Sequence, residues 1–72
     1  MFMYIIVKEV EQNEEKHFSM LASNGTYVDD DIRKAIIFSS STIATKQKEV
    51  LESLNPDDTF TVKQIVLQDL VS

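Results

Sequence analysis

Aromatic and β-branched side chains dominate FMYIIVKEV, residues 2–10, and predict a first strand. EQNEE, residues 11–15, predicts a solvated turn. KHFSMLA then sets Phe18, Met20 and Ala22 at alternate positions, the period of a second strand running antiparallel to the first. Asn24-Gly25 supplies the two left-handed positions of a tight type I′ turn, and TYV predicts a short third strand. DDDIRKA suits one helical turn led by acid, after which AIIFS returns to an extended, buried run. Ser39, Ser40 and Ser41 are possible helix caps. TIATKQKEVLESL places Ile43, Gln47, Val50, Leu51 and Leu54 on one stripe and predicts the single helix, stopped at Asn55-Pro56. TFTVKQIVLQDLV predicts a long last strand. Phe60 and Val62 share one parity there and Ile65 and Leu67 the other, which requires either a bulge near Lys63-Gln64 or cover on both faces.

These elements define an α+β domain, a small, mostly antiparallel sheet in the order β-β-β-β-α-β with one helix packed on one face. Pairing Val7 with Phe18 sets Ile5 against Met20, Met3 against Ala22 and Glu9 against Lys16, so apolar meets apolar and opposite charges meet. The Asn-Gly turn would then place Tyr27 opposite Ala22 and Val28 opposite Leu21. In this register Met3, Ile5, Val7, Phe18, Met20, Ala22 and Tyr27 form the core face under the helix. Phe2, Tyr4, Ile6, Leu21 and Val28 are left on the opposite face as an exposed apolar patch, the expected partner-binding surface.

Seventy-two residues make one domain, 1–72, near the size at which a single core barely offsets chain entropy, so burial against a partner or a second copy is expected. With no cysteine there is no disulfide framework or thiolate metal site, and the chain reads as intracellular. The apolar opening lacks a basic lead and is too short for a signal sequence or membrane span, so no membrane association is expected. A net charge of −5 with scattered Lys and Arg disfavours direct nucleic-acid binding.

Candidate chemistry is sparse. Asp29, Asp30 and Asp31 do not alternate as calcium-loop ligands do, and they fit a cap at the positive end of a turn, with contact to a basic partner as a secondary role. His17, the only histidine, lies on a strand beside Glu15 and Glu9 with no nucleophile arranged near it. The SSST run has no base, and one glycine is too few for a phosphate-cradling loop. No catalytic residue, metal or cofactor is expected, and the chain reads as a non-enzyme.

The succession of YIIVKEV, NGTYVDDDIRKAIIF, a Ser-initiated helix and TFTVKQIV resembles the small uncharacterised accessory proteins of staphylococcal-type tailed phages over nearly the whole chain. The resemblance implies a bacterial host cytoplasm and a role in binding, modulating or inhibiting a host or defence protein. It supplies no catalytic residues. The leading expectation is therefore an interaction module that docks on such a protein or on a second copy of itself. The alternative is a homo-oligomer that sequesters a nucleotide-like ligand between subunits, using Arg33, Lys34 or Lys63 on phosphates and Tyr4 or Tyr27 on a base. An acidic DNA mimic is a minor alternative, because lysines interrupt every acidic face.

Overall fold

The computed structural model describes residues 2–22, 26–29 and 31–66. Along the chain lie β1 (Phe2–Gln12), β2 (Glu15–Leu21), β3 (Tyr27–Val28), a 3-10 turn (Ile32–Lys34), α1 (Ser41–Leu54) and β4 (Thr59–Val66). The four strands form one antiparallel sheet in the order β3-β2-β1-β4, and with α1 they make the α+β fold that the pattern implies. The expected Asn24-Gly25 turn, Asp30 and the end of the last strand beyond Val66 lie outside the described residues. No helix among the described residues is long and apolar enough to cross a membrane.

The first hairpin closes on two residues, Asn13 and Glu14, at φ of 54° and 66°. Positive φ at both positions is the type I′ geometry, whose twist matches that of the flanking strands. This turn pairs Val7 with Met20 and Glu9 with Phe18, a slide of two positions from the Val7–Phe18 register expected from residue matching. A slide of two preserves which face each residue occupies. The Glu9–Lys16 ion pair survives as a diagonal contact of 3.6 Å.

The second hairpin differs by one position, with Met20 opposite Val28 and Leu21 opposite Tyr27. The Ala22 amide donates to the Thr26 carbonyl at 2.8 Å, so three residues separate the bonded pair where a two-residue turn was expected. An odd shift exchanges faces. Tyr27 joins Leu21 and Ile6, and Val28 joins Met20.

The helix covers the face opposite to the one expected. It lies over β1 and β4, with Leu51 packed on the cluster of Ile6, Leu21 and Phe60. The reason is in β4. Its register runs unbroken from Phe2–Val66 to Glu9–Thr59, which puts Phe60 and Val62 beside Lys8 and Ile6, whereas Thr61 and Lys63 fall beside Val7 and Ile5. Above β1 and β4 the Phe60/Val62 side is thus the more apolar, and a helix seats where it removes most apolar surface from water. No bulge occurs at Lys63. The change of parity is absorbed by cover on both faces, Phe60 being buried on the helix side and Ile65 on the other.

Residues 35–38 explain how both faces find cover. Beyond the Val7–Met20 pair this segment bonds to both strands: Phe38 exchanges backbone hydrogen bonds with Tyr4 at 2.9 and 2.8 Å, and the Ile36 amide donates to the Leu21 carbonyl at 2.9 Å. The expected fourth strand is therefore a short extended run held by single bridges. Its side chains alternate, Ala35 and Ile37 packing with Ile5 and Ile65, Ile36 and Phe38 with Ile6 and Phe60. A run that is apolar at every position suits such a two-sided site.

Helix α1 starts where expected. Ser40 caps it, its Oγ accepting from the Ile43 amide at 3.4 Å, and Asn55 closes it through bonds from its backbone N–H and Nδ2 to the Leu51 carbonyl. Its inward line is Ala44, Lys48 and Leu51. Ala44 is fully buried, a small residue where the helix approaches the sheet. The stripe expected to face the core is instead turned outward, with Ile43, Val50 and Leu54 more than half exposed and only Leu51 packed inward.

Candidate functional site

The five residues expected to form a partner surface do not lie together. Ile6 is 0% and Leu21 3% exposed, in the cluster on the helix side of the sheet, so neither can meet a partner without unfolding. Tyr4 is half-buried, Phe2 is exposed at the end of β1, and Val28 faces the other side of the sheet. The correction follows from the seating of the helix: the surface left uncovered is that of Val7, Phe18 and Met20.

On that surface is a groove of about 760 Å³. Ile5, Val7 and Met20 line its floor, Phe18 and Ile32 are apolar flanks, and Thr61 and Lys63 belong to the β4 side. It exists because the 3-10 turn and residues 35–37 cover one end of the face, around Ile5 and Ile65, while short or flexible Thr61 and Lys63 leave the β4 side low. Phe18 is 58% exposed. An aromatic ring this open on a strand beside an apolar floor resembles the centre of a binding surface, where aromatics anchor a partner.

The groove's charged groups are Glu9, Asp29 and Lys63. Lys63 also puts a charge on the edge strand β4, a device that discourages edge-to-edge pairing. Polar atoms within the fold are satisfied among the described residues, with no buried side-chain nitrogen or oxygen lacking a partner.

The acidic run divides. Asp31 is the N-cap of the 3-10 turn, accepting from the Arg33 amide at 2.9 Å, and its carboxylate also takes a two-pronged grip from the Arg33 guanidinium, 3.0 Å at each oxygen. These bonds from the Arg33 side chain, and then its backbone N–H, hold the Asp31 carboxyl below its ordinary value of 3.8. Arg33 is raised in turn by the same partner. Asp31 is thus a local cap, and Asp29 lines the groove. No cluster of three potential metal ligands occurs among the described residues.

Two of the groups named for a nucleotide, Arg33 and Tyr27, are otherwise engaged. The Arg33 fork is filled by Asp31, and the Tyr27 ring is capped by the Lys8 ammonium at 4.6 Å from its centroid, Lys8 also pairing with Asp58 at 3.4 Å. His17 is exposed, 3.9 Å from Glu15.

The fold and groove define a small α+β sheet protein with one open apolar sheet face. Compared with known proteins, the chain matches no family model, no curated protein and no solved structure.

Proposed function

We propose that this chain is a non-enzymatic interaction module that binds another protein through the groove of Val7, Phe18, Met20 and Ile32. The observation that carries the reading is the open Phe18 ring beside an apolar floor, with Glu9 and Asp29 at the margin. An apolar segment flanked by Lys or Arg complements it: the apolar part displaces water from the floor and the basic flank meets the two carboxylates. In the phage setting that the sequence resembles, the partner class is a host or defence protein whose activity such docking blocks.

The test compares tagged wild type with Phe18→Lys as baits in bacterial lysate, followed by titration of any enriched protein, in purified form, into isotope-labelled wild type. Lys at position 18 faces Glu9 across the strands and leaves the fold intact while placing a cation in the groove. Support is a protein lost from the variant bait whose titration moves the amide signals of Val7, Phe18 and Met20. Enrichment that Phe18→Lys leaves unchanged, signal shifts confined to other surfaces, or no enriched protein at all counts against the proposal.

A further inference from the structure

The outward stripe of α1 is a second apolar surface, on the other side of the sheet from the groove. Ile43, Gln47, Val50 and Leu54 recur at spacings of four, three and four, which is the d-a-d-a seam of a heptad pattern with one polar member. At 3.6 residues per turn this seam lies about a quarter-turn round the helix from the inward line of Ala44, Lys48 and Leu51. It therefore flanks the helix, and its three apolar side chains are 57%, 51% and 72% exposed.

The sheet beneath leaves room beside it. Four strands about 4.8 Å apart span roughly 14 Å between outer axes, and helices pack at about 8–10 Å, so one helix over β1 and β4 covers about half the face. On this face, Ile36, Phe38 and Tyr27 are only partly buried where they pack on Ile6 and Leu21. A second helix laid along the seam would shield more of these side chains.

Charge selects the occupant. The chain carries a net −5, which opposes approach of a second copy across most of its surface. The charged residues of α1 are Lys46, Lys48, Glu49 and Glu52, two of each sign. Lys46 and Glu49 are exposed beside the seam, while Lys48 and Glu52 bond to each other at 3.1 Å. A second copy thus meets here a neutral surface with cation and anion available for exchange. Two identical seams related by a two-fold axis set apolar against apolar, the isologous contact of most small homodimers.

We propose that α1 is a self-association surface and that a second copy of this chain docks on it, helix against helix. The arrangement leaves the groove on the opposite sheet face open, so each dimer presents two grooves.

Sedimentation equilibrium on the full chain tests it, with the double variant Val50→Lys, Leu54→Lys and the groove variant Phe18→Lys alongside. The expected result is a wild-type mass of twice 8.2 kDa at about 100 µM, association weakened by about 30-fold or more in the double variant, and an unchanged dimer for Phe18→Lys. A single-chain mass for the wild type overturns the proposal, as does a dimer that the double variant retains. Both substituted side chains are more than half exposed, so circular dichroism should show a folded variant; if it does not, Val50→Ser read the same way decides.

Discussion

Leu21→Ala should cost about 3 kcal/mol, whereas Phe18→Lys should cost at most about 1 kcal/mol. The two residues sit three apart on β2, face opposite sides of the sheet, and exchange the roles that alternation alone assigns them. Leu21 is 3% exposed and packs with Ile6 and Phe60 on the helix side of the sheet, so truncation removes buried carbons and leaves a cavity in a small cluster. Phe18 is more than half exposed, so little of its area is withdrawn from water, and Lys retains the aliphatic stem while gaining Glu9 opposite. At 0.05–0.15 kcal/mol per residue the 72-residue chain has roughly 4–11 kcal/mol of stability, so a loss of 3 is a large part of it. Urea unfolding followed by far-ultraviolet circular dichroism reads both. With a slope of about 1 kcal/mol per molar, the midpoint should fall by about 3 M for Leu21→Ala and by less than about 1 M for Phe18→Lys. Equal shifts, or a larger one for Phe18→Lys, would refute the placement of α1 over the Leu21 face.

Other outcomes follow from the same structure. Ile6→Glu should leave the chain unfolded by circular dichroism, because an unpaired carboxylate in the cluster under α1 costs several kcal/mol, comparable with the whole stability; a folded variant would show that Ile6 has access to water. Glu14→Gly should raise the melting temperature by roughly 3–6 °C, since a residue with a Cβ at φ 66° is strained where glycine is not, and an unchanged or lower value would mean the turn is not type I′. Asp31 should titrate below 3.8 by carbon-detected NMR, and Arg33→Ala should return it toward that value. Its folded value is depressed, so its contribution to stability is present above the unfolded value of 3.8 and is lost as pH falls through the lower folded one. A midpoint at or above 3.8 in the wild type would exclude the Asp31–Arg33 grip in solution.

The elements were largely legible because each has a local cause. Ser40 caps α1, Asn55 and Pro56 end it, and Asp31 leads a single turn, all read from neighbours within a few residues. Which face the helix takes was not local. Period two divides β1 into two sets, Met3-Ile5-Val7 and Tyr4-Ile6, both apolar, and β1 and β2 alone do not rank them. The deciding residues are on β4, where Phe60 and Val62 oppose Thr61 and Lys63. Carried onto the last strand, the register makes the Val7 side polar where a helix must sit.

The helix stripe misled for a related reason. Ile43, Val50 and Leu54 have the larger side chains, so apolar periodicity selects them, yet Ala44 and Leu51 make the contact with the sheet. A small residue such as alanine permits close approach and scores weakly in any hydrophobic pattern. The single-residue shift at Tyr27 and Val28 reflects loop length: a dipeptide signal fixes a turn's character but not how many residues the strands leave between them.

The groove claim is tested most directly by replacing Phe18 with photoreactive benzoylphenylalanine in the full chain, expressed in bacteria, and irradiating the cells. The same replacement at exposed Thr45 on α1 serves as the reference. The account expects a discrete adduct with another protein from position 18 and none of that mass from position 45. No adduct at position 18, or the same adducts from both positions, would contradict it.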